Sequence, residues 1–355
     1  PQWFRPPVHR FRKFSIAIRC RFPATSPLFS RGCWTDGEKR DKIWYGKVFS
    51  LFIDQNGITL LYIIAHSPSK RKVCVKSMIL DCHNHSRFSF DSKELIPAAC
   101  EQAEALGLQV FALTDHCDMV GSFSREFLRS NISRSVGGIA AWREAHPAGC
   151  RMLCGMELGD PLDNRPLAEE MLSLAPFDVV IGSVHTDGEM DYYWGDYRAM
   201  GQEALEESLG RYFERILEMA EWGQFDVLAH LTYPLRYIVG DAGQEIALSR
   251  FAGTIDQIFR TIIQKGIALE VNTSGLRQKI GKTLPGKDLL ARYFALGGRL
   301  VTLGSDAHRK EDIGSGIEAG EALLREIGFT EVCWFEGRKL RKIPLSSSLS
   351  GENPV

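Results

Sequence analysis

Short apolar runs alternate along most of this chain with longer segments that show helical periodicity. From Met78 onward, seven runs have the apolar and β-branched character of buried parallel strands. These predicted strands are residues 78–82, 109–114, 151–156, 178–184, 226–231, 267–272 and 300–304. The alternation predicts an α/β protein built from consecutive βα units.

The segments between the runs carry apolar residues at the three- and four-residue spacing of amphipathic helices. One such stripe comprises Leu205, Leu209, Phe213, Ile216, Leu217 and Ala220, and another comprises Ile255, Ile258, Phe259, Ile262 and Ile263. Glycines that can end a helix in the left-handed conformation stand before several of the next strands, at Gly107, Gly223, Gly266, Gly297 and Gly328. Seven such units favour a TIM-like barrel, although the pattern also allows an open doubly wound sheet.

Histidines and carboxylates occur where the apolar runs end. Six of the nine histidines lie in these places, often beside an acidic residue. The segments are Asp81-Cys-His83-Asn-His85, Thr114-Asp115-His116, Gly155-Met-Glu157, Gly182-Ser-Val-His185, Ala229-His230 and Gly304-Ser-Asp306-Ala-His308. Because the carboxyl ends of barrel strands share one mouth, we expect these side chains to form one site for several metal ions. This arrangement predicts metal-assisted hydrolysis.

The spacing of these residues supports chelation. His83 and His85 are two residues apart, so on an extended backbone both imidazoles point to the same side. Asp306 and His308 repeat this spacing at the seventh strand. Glu157 is the best candidate to bridge neighbouring ions, because a carboxylate has two oxygens whereas each imidazole nitrogen offers one lone pair.

His185 and His230 each end an apolar run and suit a second metal. Either one alone could be a hydrogen-bonded core histidine, and only the complete set favours ligands. We expect His146 to be a surface residue. Cys82 and Cys117 adjoin candidate ligands but are expected to be small buried residues.

Charge divides the chain into two parts. The formal net charge of the 355 residues is -1. Residues 1–77 contain fifteen Lys and Arg against four Asp and Glu, whereas residues 78–355 contain twenty-eight against forty. Binding of an extended polyanion requires a basic track, so the acidic part disfavours nucleic acid as a partner.

Residues 1–77 contain no methionine, and Met78 directly precedes the first metal-like motif. We therefore expect residues 1–77 to be a basic N-terminal extension outside the catalytic fold, upstream of a start at Met78. The alternative is a functional extension, either an organellar transit peptide or a segment that contacts nucleic acid. Residues 346–355 are expected to form a flexible tail.

Nine cysteines without regular CxxC spacing argue against a disulfide framework and favour a reducing compartment, the cytoplasm. The longest apolar run of the extension, residues 58–65, is too short for a membrane-spanning helix, so we expect no membrane partner.

Residues 78 to about 345 resemble the polymerase-and-histidinol-phosphatase (PHP) family, and within it the PHP-type histidinol-phosphatases. The residues that carry this resemblance are His83-Asn-His85 with Ser89-Phe-Asp91-Ser92, Thr114-Asp115-His116, Gly155-Met-Glu157, Ile181-Gly-Ser-Val-His185, Ala229-His230, Glu270-Val-Asn-Thr-Ser274-Gly275-Leu276 and Gly304-Ser-Asp306-Ala-His308. The resemblance implies a distorted seven-stranded (βα)7 barrel with up to three divalent metals, Zn, Mn or Fe, at the C-terminal ends of the strands.

The resemblance also implies which residues hold each metal. The first set is His83, His85, Glu157 and Asp306; the second is Glu157, His185 and His230; the third is Asp91, His116 and His308. Many relatives have a histidine at the position of Asp91, so the third site is expected to be weaker or to prefer a harder ion. Asp115 is expected to orient a ligand from outside the set.

The implied reaction is hydrolysis of a phosphate monoester by a metal-bridging hydroxide that attacks phosphorus in line. Glu157, Asp306 and His308 are expected to act in catalysis, and Arg277, Arg236 and Arg198 to bind the substrate. The aromatic and acidic segment 187–197 could hold a cationic imidazole-amine, or could be a lid or packing cluster.

The expected substrate is L-histidinol phosphate, a small molecule of histidine biosynthesis, and this choice rests on the resemblance because a metal cage serves any phosphoester. The alternative is a PHP phosphoesterase for another phosphomonoester, or for nucleotides or nucleic-acid ends. A metal-binding module without activity is a third hypothesis, which the nearly complete ligand set disfavours.

Overall fold

The computed structural model describes residues 50–54, 57–61, 80–121 and 123–345. The chain divides into two compact units, Pro1–Arg71 and Lys72–Val355. In the first, β1 (Ser50–Asp54) and β2 (Gly57–Leu61) form an antiparallel hairpin. The rest of the predicted extension, Met78 and the predicted tail lie outside the described residues, so the domain boundaries stay predictions.

The second unit contains a parallel sheet with seven strand positions. Its strands are β3 (Leu80–Asp81), β4 (Val110–Leu113), β5 (His116–Asp118), β6 (Arg151–Gly159), β7 (Val179–Ser183), β8 (Val227–Leu228), β9 (Ala268–Asn272) and β10 (Val301–Gly304). The spatial order is β3-β4-β6-β7-β8-β9-β10, and β5 continues beyond β4 along the same neighbour, β6.

Backbone hydrogen bonds join the first and last strands of this sheet. The Cys82 N–H donates to the Leu303 carbonyl at 2.9 Å, and the Asp306 N–H donates to the His83 carbonyl at 2.8 Å. The sheet is therefore a nearly closed barrel, which confirms the predicted seven-stranded TIM-like fold and excludes the open sheet.

Seven α-helices connect the strands within the described residues. They are α1 (Ile96–Ala105), α2 (Arg125–Ala145), α3 (Arg165–Ser173), α4 (Gln202–Trp222), α5 (Ala252–Lys265), α6 (Lys287–Ala295) and α7 (Ile317–Ile327). The predicted stripes of α4 and α5 face the core, with only Leu217 and Ile263 partly exposed. All five glycines predicted to end helices have positive φ, as the left-handed conformation requires. None of the described helices has the length and apolar content needed to cross a membrane.

The strand bounds differ from the prediction in places that matter for the site. β6 continues to Gly159, past the predicted end at residue 156, while β8 ends at Leu228, so that His230 lies in the turn after it. The sequence pattern also missed β5 and a C-terminal hairpin of β11 (Glu331–Glu336) and β12 (Lys339–Pro344). β12 is mostly exposed and basic, so it has no apolar run to reveal it.

Candidate metal centre

Imidazoles from several strand ends surround one buried carboxylate, that of Glu157. Its Oε2 lies 3.0 Å from His83 Nε2, 3.4 Å from His85 Nε2 and 3.2 Å from His116 Nδ1. The side chain is almost fully buried, with a relative exposure of 1%. One oxygen of Glu157 thus faces ligand candidates from the segment after β3 and from the start of β5.

The other oxygen of Glu157 faces a second pair of imidazoles. Oε1 lies 3.0 Å from His230 Nε2 and 3.3 Å from His185 Nε2. His185 follows β7 and His230 follows β8, so neighbouring parallel strands bring the two rings together. The two oxygens of one carboxylate therefore separate two groups of nitrogen donors, the geometry expected of a bridging ligand.

Asp306 completes the first group. Its Oδ1 lies 3.4 Å from His85 Nε2 and 3.9 Å from His83 Nε2. The residue has φ of 53°, a left-handed conformation that turns the chain directly after β10. This turn brings both Asp306 and the next predicted residue, His308, to the barrel mouth.

A third group lies at the outer edge of the cluster. His308 Nε2 is 3.0 Å and His116 Nε2 is 3.6 Å from Asp91 Oδ2. The exposed fraction is 38% for the Asp91 side chain and 29% for that of His308, against 10% or less for the other five imidazoles. All nine predicted ligand residues thus lie in one continuous cluster, with Asp91 nearest to solvent.

The donor set fits divalent cations. Among the described residues, four triads have ligand atoms that all lie within 4.8 Å of one another: His85, His116 and His308; His83, His85 and Asp306; His116, Asp118 and His185; Glu157, His185 and His230. His85 Nε2, His116 Nδ1 and Asp118 Oδ1 are buried and have no hydrogen-bond partner in the part of the chain that the structure describes. Because buried polar atoms normally have partners, these atoms are placed as cation ligands would be.

Opposite charges perturb the pKa values in the cluster. Burial alone would raise the pKa of Glu157, but the charges of His116 and His83 hold it well below its usual range. Burial lowers the pKa of His85 to about 3, and the neighbouring His308 and His116 act in the same direction. Burial opposes protonation of His116, yet Glu157 and Asp118 raise its pKa well above the ordinary value. A bound cation would therefore displace protons from imidazoles and meet carboxylates that are already ionised.

Asp118 is a residue of the cluster that was not predicted from the sequence. Its Oδ1 lies 3.6 Å from His116 Nδ1 and 3.7 Å from His185 Nδ1. A Cβ on Gly159 would come within 2.0 Å of this oxygen, so the absence of a side chain there makes room for the carboxylate. The available signal was the two-residue spacing from His116, which on an extended strand directs both side chains to one side.

Glu270 is a second carboxylate of the cluster whose role was not predicted from the sequence. It lies within β9 and its Oε1 is 2.7 Å from His83 Nδ1. A carboxylate inside an otherwise apolar run was the signal that could have identified it.

Asp115 contacts the ligand set through a serine. It accepts hydrogen bonds from the Ser86 N–H at 2.6 Å and from Ser89 Oγ at 3.0 Å, and Ser89 Oγ lies 3.0 Å from His85 Nδ1. Asp115 therefore supports His85 indirectly, through the Ser89 hydroxyl.

The two cysteines beside candidate ligands, Cys82 and Cys117, are buried and free. Burial raises the pKa of each thiol, which disfavours the thiolate that a metal ligand requires. His146 is exposed, as predicted, and stacks on Trp142 with ring centroids 3.7 Å apart.

The three predicted substrate arginines differ in position. Arg236 lies in a π-helical turn, residues Arg236–Asp241, and its Nη2 is 3.3 Å from Asp306 Oδ2. Arg277 donates from Nη1 to the Ser305 carbonyl at 2.6 Å and from Nη2 to the Asp306 carbonyl at 2.8 Å. Arg198 is exposed and donates to the Asp241 carbonyl at 3.1 Å. Among the three, Arg236 is the one with its guanidinium against a side chain of the cluster.

Comparison with known proteins identifies the family. The PHP domain model matches residues 81–274. A probable histidinol-phosphatase of Thermotoga maritima is 30% identical over 277 residues, which is 75% of this chain and 100% of that protein. The histidinol-phosphatase of Lactococcus lactis is 29% identical over 265 residues, which is 74% of this chain and 96% of that protein.

A solved structure is similar over the same part of the chain. It is the crystal structure of Lactococcus lactis histidinol phosphate phosphatase complexed with zinc, L-histidinol and phosphate. The TM-score is 0.64 at 26% identity, and the match covers 74% of this chain and 99% of that one. Since the family model spans more than half of the chain and the relatives are matched almost end to end, the chain belongs to the PHP family, in which these relatives are histidinol-phosphatases.

Proposed function

We propose that this protein is a phosphoric monoester hydrolase that converts L-histidinol phosphate to L-histidinol and phosphate in histidine biosynthesis. The observation that carries this proposal is the convergence of six imidazoles on the two oxygens of Glu157 and on two aspartates at the barrel mouth. Named relatives and a structural neighbour that binds L-histidinol and phosphate support the choice of substrate.

We assign three divalent ions, of zinc, manganese or iron, to the ligand sets expected from the sequence. They are His83, His85, Glu157 and Asp306 for the first site, Glu157, His185 and His230 for the second, and Asp91, His116 and His308 for the third. When bound, such ions neutralise phosphoryl oxygens and lower the pKa of a water molecule, which supplies a nucleophile at neutral pH. The exposure of Asp91 supports a weaker third site.

Arg236 is the residue best placed to bind the phosphoryl group. Its guanidinium lies 4.6 Å above the Tyr233 ring and its Nη2 is 3.2 Å from Ser274 Oγ. Burial opposes its charge, but the Asp306 carboxylate raises its pKa above the ordinary value, so it stays cationic. A fixed, partly desolvated guanidinium can hold two phosphoryl oxygens and stabilise charge that develops on them.

The other predicted catalytic residues are proposed to act from their places in the cluster. Glu157 and Asp306 fix the positions of the imidazoles around them, and Asp306 also orients Arg236. His308, the most exposed of the six imidazoles, lies on the solvent side of the cluster, where a water molecule can supply the proton that the leaving alcohol receives. Arg277, with both Nη groups bonded to backbone carbonyls, supports Asp306, and a direct substrate contact for it or for Arg198 stays a prediction.

An aromatic and acidic segment beside the mouth is proposed to receive the imidazole-amine of the substrate. Tyr193 and Trp194 are 61% and 79% exposed, although they are large apolar side chains. Asp187 accepts hydrogen bonds from Ser208 Oγ and Arg211 Nη2, so its carboxylate stabilises the segment itself. Glu189, whose side chain is 74% exposed, lies 3.3 Å from Arg211 Nη2 through its Oε2 and is the more accessible carboxylate that can meet a cation.

A phosphoesterase for nucleotides or nucleic-acid ends is the second candidate. The acidic excess in residues 78–355 supports a small substrate over a polyanion.

A cytoplasmic location, predicted from the cysteine content, stays a prediction.

The test is phosphate release from L-histidinol phosphate, p-nitrophenyl phosphate and a 3′-phosphorylated nucleotide, each with zinc or manganese added. We expect kcat/KM for L-histidinol phosphate to exceed the others by about a hundredfold or more, because hydrogen-bonded recognition of the leaving group discriminates strongly. The Glu157→Gln variant should bind less metal and release phosphate from none of the three. Equal rates on all substrates would contradict the specificity, and no release by metal-loaded protein would contradict the proposal.

A further inference from the structure

Glu270 uses both of its carboxylate oxygens inside the barrel and is fully buried. Oε1 lies 2.7 Å from His83 Nδ1, and Oε2 accepts the backbone N–H of His230 at 2.7 Å. Oε2 also accepts from Asn272 Nδ2 at 3.2 Å. One side chain on β9 therefore contacts a ligand candidate of the first site and the backbone of one of the second.

The barrel wall makes room for this contact. A Cβ on Gly304 would come within 2.4 Å of Glu270 Oε1 and 2.5 Å of the His83 Cβ. Glycine at the end of β10 thus allows the Glu270 carboxylate and the His83 ring to pack side by side. This close packing fixes the ring from the side opposite to Glu157.

We propose that Glu270 is a positioning residue that joins the first and second metal sites. It holds the proton of His83 on Nδ1, so that the lone pair of Nε2 is free for a metal, and it fixes the backbone that presents His230. This inference rests on the metal centre assigned under the proposed function. Glu270 touches neither substrate nor reacting atoms.

The two nitrogens of the His83 ring have different neighbours. Nε2 lies 3.0 Å from Glu157 Oε2 and is the nitrogen directed into the cluster. A neutral imidazole has one N–H and one lone pair, so a metal on Nε2 requires the proton on Nδ1. An ionised carboxylate can only accept hydrogen bonds, and Glu270 therefore selects this tautomer.

Replacement by glutamine separates this role from simple space filling. The amide of Glu270→Gln has one accepting oxygen for three donors, the His83 ring, the His230 N–H and Asn272 Nδ2, and its NH2 group must face either the His83 ring or the other two. If the NH2 group faces His83, it favours the tautomer with the proton on Nε2. The size of the side chain is unchanged, but its selection of the tautomer is lost.

The first measurement is zinc affinity of the full chain, by competition with a chelating dye. We expect Glu270→Gln to bind zinc about ten- to a hundredfold more weakly than the unchanged protein. Asp226→Asn is the matched control, because Asp226 is also a buried carboxylate and accepts the Val180 N–H at 2.8 Å, but at the other end of the barrel. It should lose stability in denaturant and keep its zinc affinity.

The second measurement is the ¹⁵N NMR spectrum of zinc-loaded, histidine-labelled protein, with His83→Asn to assign the signal. In the unchanged chain we expect the His83 proton on Nδ1. This measurement does not depend on whether a Glu270 variant folds. A proton on Nε2, undiminished zinc affinity of Glu270→Gln, or an equal loss in Asp226→Asn would each overturn the inference. Neither measurement uses substrate, so both would remain valid if the protein did not hydrolyse histidinol phosphate.

Discussion

Asp306 illustrates at the residue scale how the site is held in place. Its left-handed backbone, at φ of 53°, costs about 1–3 kcal/mol for a residue with a side chain. Arg277 contributes two hydrogen bonds to the carbonyls of Ser305 and Asp306, which secures this turn. The sequence marks Asp306 as a ligand candidate, but it does not reveal which residue supports its backbone.

Loss of the Arg277 contacts should therefore affect both stability and activity. We expect Arg277→Met to lower the free energy of unfolding by about 2 kcal/mol, because two carbonyls lose charged donors. A misplaced Asp306 should also lower kcat/KM by about a hundredfold. Arg198→Met, which removes an exposed arginine with one carbonyl contact, should change stability by less than about 0.5 kcal/mol. Urea unfolding and steady-state kinetics measure both effects, and equal stability losses in the two variants would refute the assignment.

Arg236 should affect catalysis and leave metal binding largely unchanged. We expect Arg236→Met to lower kcat/KM by about 10²–10³-fold, as for loss of a donor to transition-state charge, and Arg236→Lys to retain part of the activity. Zinc affinity measured on the same samples is the control. Unchanged kcat/KM in Arg236→Met would show that another group binds the phosphoryl oxygens.

The ends of the apolar runs were informative for individual residues because a polar side chain there interrupts an obvious pattern. The six histidines, Glu157 and Asp306 were found in this way. Asp118 and Glu270 were not, since their contacts depend on which strands become neighbours and on glycines that leave room for them. Strand neighbours and the space beside a glycine can be seen only in the folded structure.

At the scale of elements, the seven strand positions of the barrel and the helix ends marked by glycine were predictable, whereas short strands and strand lengths were not. Residues 157–159 extend β6 because β5 pairs with them, and a three-residue strand such as β5 has too few positions to show a period. As a result Glu157 lies within a strand and is held by backbone hydrogen bonds on both sides. This placement gives the central carboxylate of the cluster a rigid support.

A substitution at Gly304 tests how closely β10 packs against the metal-ligand cluster. We expect Gly304→Ala to lower stability by about 1–3 kcal/mol through overpacking and to weaken zinc binding, because the new methyl group would displace Glu270 and His83. Gly266→Ala, at the left-handed end of α5 with open space around it, should cost about 1 kcal/mol and keep its zinc affinity. Denaturant unfolding and dye competition compare the two, and normal zinc binding by Gly304→Ala would contradict the packing argument.

At the scale of the whole molecule, the proposed first site connects the two strands that close the barrel. His83 follows β3 and Asp306 follows β10, and the two segments are already hydrogen-bonded. A metal held by both would strengthen this closure. Closure itself could be expected from seven βα units, but the register between the first and last strands could not, because it depends on all strands between them.

Metal removal should therefore destabilise the fold as well as abolish activity. At a free zinc concentration about a thousandfold above the Kd, one site contributes about 4 kcal/mol to stability. We expect a chelator to lower the midpoint of thermal unfolding by several degrees, and added zinc to restore it. In Asp226→Asn the chelator should lower the midpoint by the same amount, although the midpoint with zinc is already lower. In Glu157→Gln the chelator should lower the midpoint much less. An identical midpoint with and without chelator would rule out a stabilising ion.

The closure of the barrel between β3 and β10 also sets the order in which the centre can be assembled. A chain emerging from the ribosome presents His83 and His85 early, but Asp306 only after the last barrel strand has been synthesised. On the proposed assignment, a nascent polypeptide cannot offer the full first ligand set until nearly all of the barrel exists. Metal acquisition at this site would then be a late event that follows synthesis of all the barrel strands.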